Sequence, residues 1–268
     1  MRKDKPLVSV LICSYNAERF IETTITSVLC QAYLNIELLI LDNNSCDKTV
    51  EIIKKMADQD RRMRLFIKKT NIGPYPGLNF LLECAKGKYI AINDHDDIWH
   101  KDKLLEQIEF LEKYKEYVGC GSAIINWYEK YDRHFYRSQL SNASIAWHTS
   151  LVFRNKGFRY DLSIKIATDF YFMRNILCSH KKLIYNFQEP LVLRRIFMGN
   201  QNLSGRWMKN RSVMDILGLK IGLFDKLALL NRYLLPQELV ERVVLWKYRN
   251  TIPSKYKESA ERLLENVI

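Results

Sequence analysis

Between Leu7 and Lys115 the sequence switches repeatedly between short apolar runs and stretches whose apolar residues recur every three or four positions. Leu7–Ser14 and Ile36–Leu41 read as buried strands, Met63–Ile67 as a third, weaker strand and Tyr89–Asn93 as a fourth. Amphipathic helices are expected from Phe20 through Gln31, after Asp47 as a cap, over Leu78–Ala85 and over Lys101–Lys115. Gly87 stops the third of these. Strands alternating with helices give an α/β chain with a mostly parallel sheet flanked by helices. In open sheets of this kind ligands bind beyond the carboxyl ends of the strands. Ser14–Asn16, Asp42–Ser45 and Asp94–Asp97 all stand at such ends and would converge on one crevice.

Several function classes fall away early. The first glycine is Gly73, so neither a phosphate-cradling P-loop nor a glycine-rich dinucleotide turn can follow the first strand. No uncharged apolar stretch reaches the roughly 18 residues that a membrane span needs. Leu7–Cys13 is short for a signal-peptide core and no small-residue cleavage site follows, so no leader is expected. Cys13, Cys30, Cys46, Cys84, Cys120 and Cys178 are scattered, without metal spacing, and read as reduced thiols of a cytoplasmic protein.

The net charge of +12 is concentrated in one block. Residues 151–211 carry 12 Lys+Arg against 3 Asp+Glu, whereas residues 1–150 carry 21 against 20. A nucleic-acid partner is not expected, because the half that would hold the ligand is nearly neutral. This second half is less regular. A strand over Ile145–Phe153 and a helix over Thr168–Leu177 are expected, followed by helical sequence from about Arg206. Val213–Leu235 carries a broad apolar stripe with Lys220, Lys226 and Arg232 beside it. Such a helix suits either an anionic membrane interface or packing on the main domain.

Asp94, Asp96 and Asp97 place three carboxylates within four residues at a strand end. Alternate carboxylates on an extended segment can share a divalent cation, and Mg²⁺ or Mn²⁺ favours hard oxygen ligands together with substrate phosphates. His95 within the cluster is expected to face solvent, and His148 is read as a structural or acceptor-side residue or a metal ligand.

Val8–Asn16, Leu41–Thr49 and Ala85–Trp99 with Lys103-Leu104 resemble three successive segments of family 2 glycosyltransferases. His148–Arg154 and Ala167–Phe170 are similar to later, looser segments of that family, so the likeness covers roughly residues 6–205. The resemblance implies a GT-A fold with a helical C-terminal extension, and an enzyme of the inverting, surface-polysaccharide type. Residues 1–205 would form the transferase domain, with a nucleotide-binding half (1–118) and an acceptor-side half (119–205), and 206–268 the extension. A sugar would pass from a nucleoside diphosphate, a UDP-sugar first, to a hydroxyl of a glycan or lipid-linked acceptor at the inner face of the cell membrane. Cys13 and Tyr15 would line the base pocket, Asp42 and Asn43 would read base and ribose, and Asp94 would contact ribose or sugar. Asp96, with Asp94, would hold Mn²⁺ or Mg²⁺. Asp169 would be the general base, and Arg194 and Arg195 would close over the diphosphate.

Two positions depart from the family pattern. Asn43 stands where many relatives carry a second acid, and Leu78 stands where a basic residue often precedes Asn79. Pro74-Tyr75-Pro76-Gly77 just ahead is expected to be a stiffened loop. The alternatives for the acidic cluster are a metal-dependent sugar-phosphate phosphatase or a nucleotidyltransferase. The first normally carries its acids after the first strand, and the second lacks its glycine-rich loop here.

Overall fold

The computed structural model describes residues 5–164, 167–179, 182–197 and 252–265. Its opening follows the expected alternation: β1 (Val8–Ser14), α1 (Ile21–Leu29), β2 (Ile36–Asp42), α2 (Thr49–Ala57), β3 (Met63–Ile67), α3 (Pro74–Cys84), β4 (Tyr89–Asn93), β5 (Ile98–Trp99) and α4 (Lys103–Lys113). Then come β6 (Gly119–Tyr128), β7 (Arg133–Arg137), β8 (Asn142–Ala143), β9 (Val152–Arg154), α5 (Thr168–Tyr171), β10 (Ile184–Ile196) and α6 (Lys257–Glu265). The central strands run β3-β2-β1-β4-β9-β6-β10-β5 across one sheet, with β7 on β6 and β8 on β10. β1 to β4 are mutually parallel where they pair, β9 is antiparallel to both β4 and β6, and β6 and β10 are parallel.

Both faces of the parallel part are covered, which is why β2 is buried at every position. Val10, Ile12, Leu38 and Ile40 pack under α1 and α4, and Leu11, Leu39, Leu41, Ile90 and Ile92 pack under α3 and the residues around Phe172. A smaller cluster joins Ile98, Ile125 and Leu193 to Ala260 and Leu263 of α6, so the end of the chain closes over β5, β6 and β10. Val213–Leu235, Arg206, Lys209 and Arg211 lie outside the described residues, and with them most of the expected extension.

Two expectations change, and two strands were not foreseen. Pro74-Tyr75-Pro76-Gly77 is the first turn of α3, where proline supplies a suitable φ and no backbone N–H is wasted. Ile145–Phe153 is mostly a loop and a 3-10 turn (His148–Ser150), with only Val152–Arg154 as strand. The two longest strands, β6 and β10, carry weak apolar patterns. In β6 small residues permit close approach: a Cβ on Gly119 would sit 2.7 Å from the Val152 carbonyl oxygen, and one on Gly121 2.5 Å from the Ala146 Cβ. In β10 the register against β6 shifts on both sides of Pro190.

One polar group is sealed in this core. Lys103 is fully buried; its Nζ donates to Gln107 Oε1 at 2.8 Å and lies 3.8 Å from the Trp99 ring centroid. Gln107 Nε2 in turn donates to the Ser150 carbonyl at 3.0 Å, and Trp99 Nε1 to the Thr149 carbonyl at 3.2 Å, which pins the turn that carries His148. Burial drags the Lys103 ammonium down to about 7, opposed only weakly by Cys120. The folded state therefore sheds its proton before the unfolded chain does, and stability rises with pH between about 7 and the ordinary lysine value. Lys103→Met should be more stable than the parent at pH 6.5 by about 1 to a few kcal/mol, with the gap narrowing by pH 8.5. Urea unfolding at the two pH values measures this, and a gap independent of pH would contradict the buried cation.

Candidate active site

Register fixes the floor of the site. Ser14 pairs with Asp42 and Ile12 with Asn93, so the carboxyl ends of β1, β2 and β4 open on one edge. Asn16 and Asn44, both at positive φ, turn the chain sharply there. Asp42 is fully buried and accepts from the Ser45 N–H at 2.9 Å and the Ser45 hydroxyl at 2.5 Å. Asn43 accepts from the Ile72 N–H at 2.9 Å and donates to Asn71 Oδ1 at 3.0 Å, tying β2 to the loop before α3. Cys13 lies at the same mouth, and burial, with Asp42 and Asp94 nearby, pushes its thiol up to about 12, so it is no nucleophile. Tyr15 is half-buried just beyond β1.

The acidic turn follows β4. The Asp94 side chain is 46% exposed, while Asp96 and Asp97 are buried. Asp94 Oδ1 lies 3.6 Å from His148 Nδ1, and His148 Nε2 is 2.8 Å from the Tyr160 hydroxyl. Burial works against an ionised Asp94, but His148 and Arg194 outweigh it and hold the carboxyl below its ordinary value. Burial and the charge of Asp94 raise Asp96, and burial with both neighbours raises Asp97 well above the usual carboxylate range. The same exchange raises His148, where Asp94 outweighs desolvation. His95, expected in solvent, is half-buried, and its carbonyl accepts from the Thr24 hydroxyl at 3.1 Å.

The two arginines of β10 part company. The Arg195 N–H donates to Asp97 Oδ1 at 3.0 Å. Its guanidinium reaches Glu129 at 3.3 Å and lies between the rings of Phe20 (4.8 Å) and Trp127 (4.7 Å). That side chain is committed to packing. Arg194, on the opposite face of the strand, is the cation whose charge acts on Asp94, Asp96, Asp97 and His148. Asp169, half-buried in the first turn of α5, acts on His148, Tyr75 and Tyr160 from the other side. It is not the helix cap: the residue before the helix is Ala167 at φ 52°, whose side chain makes no capping hydrogen bond.

Asp94, Asp96, Arg194, His148 and Asp169 are thus brought together, whereas Arg195 is drawn away. Among the described residues no group of three or more His, Cys, Asp or Glu side chains is arranged to hold a metal ion. Asp94 and Asp96 nevertheless suit Mg²⁺ or Mn²⁺, which take one or two carboxylates and complete their shell with water and phosphate oxygens. The mutual repulsion that raises Asp96 is what a dication would relieve. Tyr75 and Tyr160 were not marked by sequence reasoning, and only the odd proline-flanked segment around Tyr75 hinted at the first. A hollow of about 730 Å³ bounded by Glu18 and Lys54 holds none of these residues.

Comparison with known proteins places the chain in a family. Residues 9–181 match the family model described as Glycosyl transferase family 2, and the chain belongs to that family. It is 32% identical over 181 residues to WfgD of Escherichia coli, named as a UDP-Glc:alpha-D-GlcNAc-diphosphoundecaprenol beta-1,3-glucosyltransferase, covering 65% of this chain and 71% of that protein. It is 44% identical over 106 residues to an uncharacterized glycosyltransferase of Haemophilus influenzae, covering 40% of this chain and 42% of the relative. Three further curated relatives are spanned over only 36%, 42% and 47% of their length. S. aureus TarS 1-349 in complex with UDP-GlcNAc superposes with a TM-score of 0.60 at 15% identity, over 97% of this chain and 79% of that one. The mannosyltransferase PcManGT of Pyrobaculum calidifontis in complex with GDP-Man and Mn²⁺ gives 0.58 at 16%, over 85% and 69%. The fold is therefore GT-A, a mostly parallel mixed sheet flanked by helices, in a chain of the transferase class.

Close packing at the mouth gives a direct check. A Cβ on Gly77 would lie 2.6 Å from Cys13 Sγ. Gly77→Ala should cost about 1–3 kcal/mol and lower the Tm, and Cys13→Ala in the same chain should restore most of the loss. Thermal unfolding of the three variants decides it, and an unchanged Tm for Gly77→Ala alone would contradict the contact.

Proposed function

We propose that the protein transfers a sugar from a UDP-linked donor to a hydroxyl of a lipid-diphosphate-linked acceptor, inverting the anomeric centre. The observation that carries this reading is the meeting of Asp94, Arg194 and His148 with Asp169 at the carboxyl ends of β1, β2 and β4. It is supported by a UDP-sugar complex among the structural neighbours and by the donor and acceptor in the name of the E. coli relative.

The parts follow from charge. Cys13 and Tyr15 flank the base, and Asp42 retains lone pairs for an imide N–H beyond those given to Ser45. Asn43, where many relatives carry an acid, shapes the pocket by holding the loop at Ile72. Asp94 and Asp96 would hold Mn²⁺ or Mg²⁺, which when bound supplies a positive charge against the departing diphosphate. Arg194 faces the same charge from β10. Arg195 contributes by fixing that strand to Asp97 rather than by touching phosphate. Asp169 accepts the proton of the attacking hydroxyl, and direct displacement with one base inverts configuration. The basic block of residues 151–211 suits a diphosphate-linked acceptor, and the reaction belongs at the cytoplasmic face of the membrane, where such a lipid would present its head group. Among the described residues no helix is long and apolar enough to cross a membrane.

A screen of nucleotide sugars with Mn²⁺, reading nucleoside diphosphate release, tests the reaction class. UDP-glucose with a GlcNAc-diphosphate lipid is the first pair to try. Asp169→Asn should lower turnover by roughly 10²–10⁴-fold while UDP binding, followed by calorimetry, stays as in the parent. Near-parental turnover in that variant would remove Asp169 from the role.

A further inference from the structure

Tyr160 has no part in the chemistry just described, yet it is only 2% exposed and its hydroxyl ends 2.8 Å from His148 Nε2. It is firmly held there. Asn79 of α3 binds its backbone twice, accepting the Tyr160 N–H at 2.8 Å and donating to its carbonyl at 2.9 Å. The ring stacks on Phe172 with centroids 4.0 Å apart, and the Tyr75 ring lies 5.3 Å away on a tilt. The hydroxyl therefore has a fixed position beside the turn that carries His148.

The imidazole it meets is otherwise secured only through its backbone. Trp99 and Gln107 hold the carbonyls of Thr149 and Ser150, which pins the turn. Those bonds do not stop the ring from rotating about its own side-chain bonds. The far nitrogen does: with Nε2 on Tyr160, Nδ1 faces Asp94 Oδ1 at 3.6 Å. A carboxylate can only accept, so the Nδ1 that faces it carries a proton. Nε2 then accepts from the Tyr160 O–H when the ring is neutral, and donates to the same oxygen when the ring is charged. A hydroxyl serves both states, which a group that only donates or only accepts would not. At 3.6 Å the Nδ1–H attracts the carboxylate without closing a full hydrogen bond, so the lone pairs of the half-exposed Asp94 stay open to a ligand.

We propose that Tyr160 is a positioning residue that, through His148, aims the Asp94 carboxylate at the divalent cation and diphosphate of the donor. This deepens the reading of Asp94 and Asp96 as the cation-holding pair and rests on it. Groups that orient a metal-binding side chain from behind typically change metal affinity by roughly 10–100-fold when they are lost. With the hydroxyl gone, the Tyr160 ring keeps its stack on Phe172 and its backbone keeps both bonds to Asn79. Nε2 loses its partner, and the imidazole is free to turn away from Asp94. The loss falls on cation affinity. None of these bonds reaches Asp169, so turnover with the cation saturating stays near that of the parent.

The test titrates the full chain with Mn²⁺ in the presence of UDP by calorimetry, and assays it with UDP-glucose and a GlcNAc-diphosphate lipid. Tyr160→Phe should weaken Mn²⁺ binding by roughly tenfold and raise the half-saturating Mn²⁺ concentration to match, with kcat at saturating Mn²⁺ within about twofold of the parent. His148→Asn keeps an N–H near the Nδ1 position but cannot reach Tyr160. It should show a loss of similar size, and adding Tyr160→Phe to it should change little. Parental Mn²⁺ affinity in Tyr160→Phe, a lower Tm as its only effect, or losses that multiply fully in the double variant would each overturn the proposal. Asp94→Asn separates the two readings. If that variant binds Mn²⁺ like the parent, the cation-holding role of Asp94 falls and the proposal with it. If it binds poorly beside a parental Tyr160→Phe, the Tyr160 role alone falls.

Discussion

Three carboxyl groups within four residues repel one another, and the acidic turn after β4 exists only because its surroundings divide that repulsion. Asp94 is kept ionised by His148 and Arg194 at the open side of the turn. Asp97 is sealed beneath, its oxygen accepting the Arg195 N–H, and burial favours its neutral form. Asp96 lies between the two regimes. Much of the second half of the molecule can be read as the apparatus of that division. β10 delivers both arginines, the 3-10 turn delivers His148, and Lys103, Gln107 and Trp99 hold the turn in place from within the core.

How far the sequence was legible follows from where the information is local. β1, β2 and β4 are largely apolar runs because both sheet faces are covered, and their polar ends mark the site in the sequence, whereas β3 at the sheet edge is buried only at Met63 and reads weakly. The acids at 94, 96 and 97 needed only their spacing and their place after a strand. β6 and β10 could not be read in the same way. Gly119 and Gly121 are small because neighbouring groups crowd them, and Pro190 breaks the pairing, so neither strand shows a run that periodicity can find. The contribution of His148 depends on Asp94 and Tyr160, which are 54 and 12 residues away in the chain. Pairs of that kind leave no local signature.

The charge of the chain takes on a more exact meaning. A basic excess in residues 151–211 suggests many contacts to an anionic partner, yet three of the cations that the structure describes there have separate duties. Arg154 donates to the carbonyls of Tyr117, Leu111 and Tyr114 and acts as a clasp for the turn after α4. Arg195 is held between two rings and an acid, and Arg194 alone of the three looks into the acidic turn. Counting positive charges overstates how many of them meet a ligand.

The irregularity at Pro190 bears on how this enzyme could be altered or could fail. Side chains alternate along a strand, so the phase of β10 decides which of two identical neighbours faces the acids and which faces Phe20 and Trp127. That phase is set upstream, where the pairing with β6 slips around Pro190. Removing one uncharged residue from the slip would leave the net charge and both arginines intact. It would nonetheless exchange their duties, aiming the wrong backbone N–H at Asp97 and carrying Asn126, the partner of Arg194, out of step. The bulge thus works as a phase-setting joint: insertions and deletions there would be far more damaging than substitutions, in a stretch whose residues look unremarkable one at a time.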